Sequence, residues 1–341
     1  MIKMLVSADP NSPALRRLTH ATRELDLELV TDTTPPVAGE LRIWSRRDEG
    51  WVNITNAERK SSDELLDETV RFVEFDFSTL PLIVEGESKI VKRLTRRLVV
   101  EKFKPTVYSY TENRCGIVEG SEFTRARFSA AVFRSLRAAP EISVKLQHAF
   151  ITLIDDGNDV YTVQRLVESC NLEVRVKRFH IGSPLHRYKF TERIPGVSGE
   201  AITRWSRFND LIVCFDWRNP MHDEKGGRLA DEPLSDDYAA LWMNDVPIAK
   251  ALARQVFLHL ESLFLASGFV LIDACFFIDK TGKTFFGEIS PDCMRVRALG
   301  KDPADAASFD KDVWRAGGTS LNVADRYLEL YQKLFCVETL V

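Results

Sequence analysis

Long apolar runs are missing from this 341-residue chain, and so is any excess of basic charge. A membrane-spanning helix needs about 20 consecutive apolar residues, and no stretch qualifies; Met1 to Val6 is too short for the apolar core of a secretion signal. Lysine and arginine number 46 against 50 aspartate and glutamate, a net charge of −4, which argues against a partner bound through a nucleic-acid backbone. The six cysteines (Cys115, Cys170, Cys214, Cys275, Cys293, Cys336) include no C-x-x-C and have no histidine at zinc-site spacing. A reduced, cytoplasmic protein without structural zinc is expected. No G-x-G-x-x-G accompanies a β-α-β pattern, so nothing points to a dinucleotide, and no repeat or low-complexity tract points to a solenoid. With 45% hydrophobic and 28% charged residues, the composition is that of a globular protein long enough for two modest domains.

Residues 1–80 read as a small module. Ile2 to Val6 predicts a strand, Ser12-Pro13 a helix start, Leu15, Leu18, Ala21 and Leu25 its apolar face, and Leu27 to Val30 a second strand. Leu41 to Ile54 predicts a hairpin around Asp48-Glu49-Gly50, and Ser61-x-x-Glu64 a capping box. From Pro81 the chain changes character. Leu82 to Val91 reads as strand, bend at Gly86 and strand, followed by a basic cluster of Lys89, Lys92, Arg93, Arg96 and Arg97. Such cations serve either as a solvated strand face or, for Lys89 beside the glycine bend, as a nucleotide-phosphate contact. A helix over 122–137, strands at Phe150 to Ile154 and Asp159 to Val163, and a strand from Leu172 into Gly182-Ser183 follow. Alternation over the last puts Arg175 and Lys177 on one face. Asp245 caps the longest predicted helix, which Gly268 ends, and a terminal helix starts at Ser320.

The chain is organised around Leu271 to Arg297, L-I-D-A-C-F-F-I-D-K-T-G-K-T-F-F-G-E-I-S-P-D-C-M-R-V-R. Two strands, Phe269 to Ile278 and Thr284 to Ile289, are expected around a turn at residues 279–283. Proline should end the second strand and set Ser290, Asp292 and Arg295 out at its tip. Asp273 and Glu288, one on each strand, with that polar exit, suggest an anion or metal–phosphate site; a merely solvated hairpin end is the alternative.

Taken in order, Leu82 to Phe335 resembles the SAICAR synthetase (phosphoribosylaminoimidazole-succinocarboxamide synthase) family. The family's L-x-Y-E-G-K-A-K-x-V-Y reads L-I-V-E-G-E-S-K-I-V here, and its I-S-A helix end reads R-F-S-A at Arg127 to Ala130. Its L-E-V-V-V-R-N-x-A-A-G-S corresponds to Leu172 to Ser183, its A-D-E-I-S-P-D-x-C-R to the segment ending at Arg295, and its L-D-K-D-x-x-R to Phe309 to Arg315. The resemblance implies an α+β fold, ATP-grasp-like or kinase-like, with two antiparallel-sheet lobes and a central cleft. Residues 1–80 would form the appended module, 81–165 a nucleotide-binding lobe and 166–341 a substrate lobe.

The same resemblance implies an ATP-dependent carboxylate–amine ligase in purine-related or specialised biosynthesis. Its substrates would be a phosphoribosylated heteroaromatic carboxylate and an amino-acid amine, with neither nucleic acid nor membrane as partner; homo-oligomers are common in the family. Gly86 and Lys89 would contact the nucleotide, and Lys177, Arg178, Ser183, Ser290 and Arg295 the phosphorylated substrate. Asp273, Glu288 and Asp292 would be catalytic, with Asp273 and Glu288 holding Mg²⁺ beside ATP. The chain departs from the family at Glu87, where a lysine is expected, and at Cys275, Phe277 and Gly287, where the family carries lysine and two carboxylates. A phenyl ring cannot ligate Mg²⁺, so either Asp273 and Glu288 suffice together with waters, or Asp216 or Asp223 substitutes. Alternatively, the chain is a descendant with a degenerate metal and ATP site, acting as an ATP-independent enzyme or a ligand-binding protein. A third reading is an interaction protein organised by residues 1–80.

Overall fold

A computed structural model describes residues 2–32, 40–109, 114–139, 142, 146–188, 190–218, 224, 229 and 231–336. The chain forms two compact units, Met1–Lys104 with Ala149–Val167, and Pro105–His148 with Glu168–Val341.

In the first unit the β-α-β reading holds. β1 (Ile2–Ala8) pairs in parallel with β2 (Leu27–Thr31) across helix α1 (Pro13–Glu24), whose N-cap Ser12 accepts from the Leu15 amide. The hairpin β3 (Leu41–Ser45) and β4 (Gly50–Ile54) completes a sheet of order β2-β1-β3-β4. Helix α2 (Ser62–Val70) opens with both halves of the capping box, Ser61 and Glu64. A second sheet, of order β11-β12-β7-β6-β5, is antiparallel throughout. It is built from β5 (Leu82–Glu85), β6 (Lys89–Arg93), β7 (Leu98–Phe103), β11 (Phe150–Asp155) and β12 (Val160–Arg165). Leu65, Leu66 and Val70 of α2 share one core with Leu98, Val100, Ile151, Tyr161 and Val163. The Thr152 hydroxyl donates to the Asp67 carbonyl at 2.7 Å, and Arg165 pairs with Asp63 at 2.6 Å. Residues 1–80 therefore do not close a separate core but share one with the second sheet.

The second unit is centred on a seven-stranded sheet of order β10-β17-β16-β13-β14-β15, with β18 also on β16. Its strands are β10 (Gln147–His148), β13 (Ser169–Phe179), β14 (Arg207–Trp217), β15 (Glu232–Leu234), β16 (Phe269–Asp279), β17 (Thr284–Phe286) and β18 (Met294–Ala298). A two-stranded ribbon, β8 (Thr106–Ser109) and β9 (Arg114–Ile117), precedes helix α3 (Ser121–Ala138). The long helix Val246–Ala266, capped by Asp245, buries Leu252, Val256, Leu260 and Phe264. The C-terminal helix Ser320–Phe335 buries Val323, Tyr327, Leu330 and Leu334. No helix among the described residues is long and apolar enough to cross a membrane.

The organising hairpin differs from expectation in one respect. β17 stops at Phe286, because Gly287 adopts φ +76°, a left-handed turn that a strand cannot continue through. The chain then makes a short 3₁₀ turn, Pro291–Cys293, and returns as β18, antiparallel to the first half of β16 with Asp273 opposite Arg295. Arg295 is thus a strand residue held against β16 rather than a side chain at a loop tip.

Candidate functional site

Strand register lays out the site. On one face of the large sheet, Asp216, Glu173 and Phe277 form a row across β14, β13 and β16; Cys214, Arg175 and Cys275 form the next; Ile212, Lys177 and Asp273 form a third. Side chains alternate along each strand, so residues two apart on β13 (Glu173, Arg175, Lys177) share this face.

The third row carries the tightest cluster. Lys177 Nζ donates to Asp273 Oδ2 at 2.7 Å and to the Ile181 carbonyl at 3.0 Å, while Arg295 Nη1 donates to the same Asp273 oxygen at 2.6 Å. Burial opposes charge on Asp273, but Arg295 and Lys177 outweigh it and hold the carboxyl well below the usual carboxylate range. Burial lowers the Lys177 ammonium, and Arg295 and Arg175 add to that against the pull of Asp273. Arg295 lies directly against Gly182, where φ is +76° and an added Cβ would come within 2.7 Å of Nη2. Glycine is required twice there, by backbone and by guanidinium.

Arg175 binds the neighbouring groups together. Its Nη2 donates to Glu173 at 2.7 Å, its Nε to Cys275 Sγ at 3.4 Å and its Nη1 to the Ser183 hydroxyl at 2.5 Å. Asp216 Oδ2 lies 2.8 Å from Arg175 Nη1 as an ion pair outside hydrogen-bond geometry, and its Oδ1 accepts from Arg187 at 2.5 Å. Partial burial opposes charge on Glu173, yet Arg175 and then Arg218 bring its pKa down to about 2. Arg218 also stands 5.2 Å over the Phe277 ring, which packs against Phe286 with centroids 5.7 Å apart.

A second buried cluster holds Glu288. Arg125 of α3 chelates it through Nε at 2.8 Å and Nη2 at 2.9 Å, and the Ser290 hydroxyl donates to Oε1 at 2.5 Å. Ser290 is fully buried and accepts from the Asp292 amide, so it points inward. Asp292 pairs with Lys311 at 2.7 Å and accepts from the Tyr327 hydroxyl at 3.2 Å.

Of the residues picked from sequence, Lys177, Asp273 and Arg295 are directly bonded, whereas Ser183 is held by Arg175 of the neighbouring row. Arg178 lies on the opposite face, where its guanidinium chelates Glu261 of the long helix at 2.7 Å through both Nε and Nη2. Adjacent strand residues cannot share a face, so Lys177 and Arg178 serve different surroundings. Lys89 and Gly86 belong to the first unit. There Lys89 Nζ lies 3.4 and 3.5 Å from the two Glu101 oxygens, and Gly86 closes the bend by donating to the Lys89 carbonyl at 2.9 Å. Asp223 lies outside the described residues.

Mg²⁺ takes oxygen ligands in near-octahedral geometry. The carboxylates expected to hold it are engaged by cations: Asp273 by Lys177 and Arg295, Glu288 by Arg125, and Asp216 by Arg175 and Arg187. No group of three candidate ligands assembles among the described residues. This donor set does not fit the ion.

Arg125 was absent from the sequence-derived site, although a signal existed. It occupies the same helical stripe as Phe128, Val132 and Leu136, all buried, and a charge on an apolar stripe marks a buried ion pair. Lys311 lies within the Phe309–Arg315 segment already matched to the family, whereas Arg218 carried no comparable signal.

The SAICAR synthetase family model covers residues 85–330. The bifunctional cordycepin biosynthesis cluster protein 3 of Cordyceps militaris is 26% identical over 290 residues, 73% of this chain and 32% of that protein. The chain therefore spans about a third of that relative. The phosphoribosylaminoimidazole-succinocarboxamide synthase of the Wolbachia of Brugia malayi is 24% identical over 263 residues, 74% of this chain and 96% of that one. Among solved structures, the Ehrlichia chaffeensis synthase superposes with a TM-score of 0.59 at 21% identity, covering 76% of this chain and all of that one. A type-2 SAICAR synthetase in complex with ADP gives 0.58 at 21% identity, covering 76% and 99%. The Saccharomyces cerevisiae enzyme complexed with SAICAR gives 0.58 at 14%, covering 79% and 99%. These structures share the mixed α+β fold with antiparallel sheets, and with a family match over residues 85–330 the chain belongs to the SAICAR synthetase family of C–N ligases.

Proposed function

We propose that this protein is an ATP-dependent carboxylate–amine ligase acting on a phosphoribosylated heteroaromatic carboxylate, in purine-related or specialised biosynthesis. The observation that carries this reading is the Lys177–Asp273–Arg295 cluster seated on Gly182. Its cations are fixed by a carboxylate before any ligand arrives, and Arg295 keeps N–H groups beyond the one given to Asp273. Arginine's planar fork suits a phosphate, so Arg295, Lys177 and Ser183 form the clamp for the substrate's ribose phosphate. The relative named for a cordycepin biosynthesis cluster supports the specialised setting, and the ADP and SAICAR complexes of similar structures support the ligand classes.

In the reaction, a substrate carboxylate oxygen attacks the γ-phosphorus of ATP and ADP leaves, giving an acyl phosphate. The amine attacks the acyl carbon, loses a proton, and expels phosphate to form the amide. Lys89, oriented by Glu101, is the candidate contact for the nucleotide phosphates. No step is assigned to Mg²⁺, because Asp273 and Glu288 are held by cations. Replacing Arg295 by alanine should lower turnover about a hundredfold or more in a phosphate-release assay; unchanged turnover would remove Arg295 from the clamp.

The packed Phe277–Phe286 pair, with Phe277 under Arg218 where the family carries a carboxylate, favours a second reading: a ligand-binding or ATP-independent descendant. Calorimetric titration of ATP with Mg²⁺ separates the two. Micromolar binding, about −8 kcal/mol, supports the ligase, whereas ribotide binding with no ATP binding supports the descendant.

A further inference from the structure

Along β14 the alternation that places Cys214 and Asp216 on the site face places Arg218 there too, one residue past the strand's end. Its backbone is fixed by Asn171: the Arg218 amide donates to the Asn171 carbonyl at 3.1 Å, and Asn171 Nδ2 donates to the Arg218 carbonyl at 2.7 Å. Strand order thereby sets Arg218 beside the row of Asp216, Glu173 and Phe277. That row lies four residues, about 14 Å, along the sheet from the row of Lys177 and Asp273.

Charge is distributed unevenly there. Arg175 spends its donors on Glu173, Cys275 and Ser183, and Arg187 spends its own on Asp216 and the Asp231 carbonyl. Arg175, Arg187 and Arg218 thus face only Glu173 and Asp216, and Arg218 is the remainder. It is half-buried, and its guanidinium has the Phe277 ring, at 5.2 Å, and the charge of Glu173 as its contacts among the described residues. A guanidinium resting on a ring has one planar face covered and its N–H edge free. That edge is the part that grips a phosphate with two parallel bonds. The Phe277 ring meanwhile offers no oxygen ligand, and both carboxylates of the row are engaged by arginine. The row therefore lacks what a divalent cation needs and holds what an uncomplexed polyphosphate needs.

We propose that Arg218 stands in for a divalent cation. Seated on Phe277, its fork binds the terminal phosphates of a nucleoside triphosphate directly, so the chain takes the triphosphate as the free anion and not as its magnesium complex. A guanidinium neutralises phosphate oxygens without asking for carboxylate ligands, which matches a row whose carboxylates are occupied. This role rests on the ligase reading, and the experiment separates the two.

The full chain is titrated calorimetrically with ATP in excess EDTA and, separately, with ATP in excess Mg²⁺. Free ATP should bind as tightly as Mg·ATP or more so. Arg218→Ala should weaken free ATP about tenfold or more, and Arg218→Lys, which keeps the charge and loses the fork, should recover only part of that loss. Tighter binding of Mg·ATP than of free ATP would overturn the exchange of metal for arginine while the ligase reading stands. Free-ATP binding that Arg218→Ala leaves unchanged would do the same. A wild-type chain that binds neither form would overturn the ligase reading and this role together.

Discussion

The second unit contains two buried charge clusters that resemble each other in composition and differ in closure. Around Glu288, both carboxylate oxygens meet the Arg125 guanidinium, and the Ser290 hydroxyl adds to one of them. The pair is 0% and 4% exposed. Around Asp273, two cations converge on a single oxygen, and Arg295, 16% exposed, keeps donors beyond that contact. Removing two charges from water costs several kcal/mol per ion unless each finds its counterpart. The Glu288 cluster meets that condition internally and so fastens α3 to the segment after β17. The Asp273 cluster is less closed: Arg295 also pairs with Asp312 through Nε at 3.5 Å, and its remaining N–H groups are what an incoming anion would meet. Similar charge pairings therefore read as framework in one place and as a proposed binding site in the other, according to how completely their valences are filled.

The largest expected effect tests the closed cluster. Arg125→Ala leaves Glu288 buried without its cation and should lower unfolding free energy by about 3–5 kcal/mol, read as a shift of the urea midpoint. A loss under 1 kcal/mol would mean that Glu288 is solvated and the clusters are not different in kind. Next, the carboxylates of the open face can be titrated. Glu173 has its pKa depressed from 4.5 to about 2 by Arg175 and Arg218 acting against burial. Its contribution to stability is therefore fully present above the unfolded value and lost as pH falls through the folded one. Wild type should exceed Glu173→Gln by roughly 3 kcal/mol near pH 6, with the gap closing between pH 4.5 and 2; a gap that does not vary with pH contradicts the ion-pair assignment. The smallest effect sharpens the open cluster. Gly182→Ala places a methyl group against the Arg295 guanidinium and should weaken inorganic phosphate binding about tenfold, near 1.4 kcal/mol, in a chain that remains folded.

Local elements were legible because their signals are local. The Ser61–Glu64 capping box, the Asp245 cap and the stripe of Val323, Tyr327, Leu330 and Leu334 all appear where periodicity and cap chemistry put them. The end of β17 was harder, because proline at 291 is the stronger textual breaker although Gly287, four residues earlier, turns the chain. Within the site, alternation identified the shared face of Arg175 and Lys177, and the same rule, applied one residue further, separates Arg178 from it. Which cation neutralises which carboxylate was not legible. Arg125 and Glu288 are 163 residues apart, and Lys177 and Asp273 are 96 apart. Pairings at such separation are set by the sheet order and by helix docking, neither of which leaves a mark on the neighbouring sequence.

The discontinuous make-up of the first unit has a consequence for how the chain is born. The apolar face of α2 is complete at Val70, but Ile151, Ile154, Tyr161 and Val163, which cover it, emerge about 80 residues later. At ribosomal speeds of 5–20 residues per second, that face waits roughly 4–16 seconds for its cover. Helix α3 and the β8–β9 ribbon are synthesised in the interval. The amino-terminal residues, first made, thus wait for a segment that follows part of the second unit, and a chaperone that holds apolar helices would find its natural client in this nascent chain between residues 70 and 165.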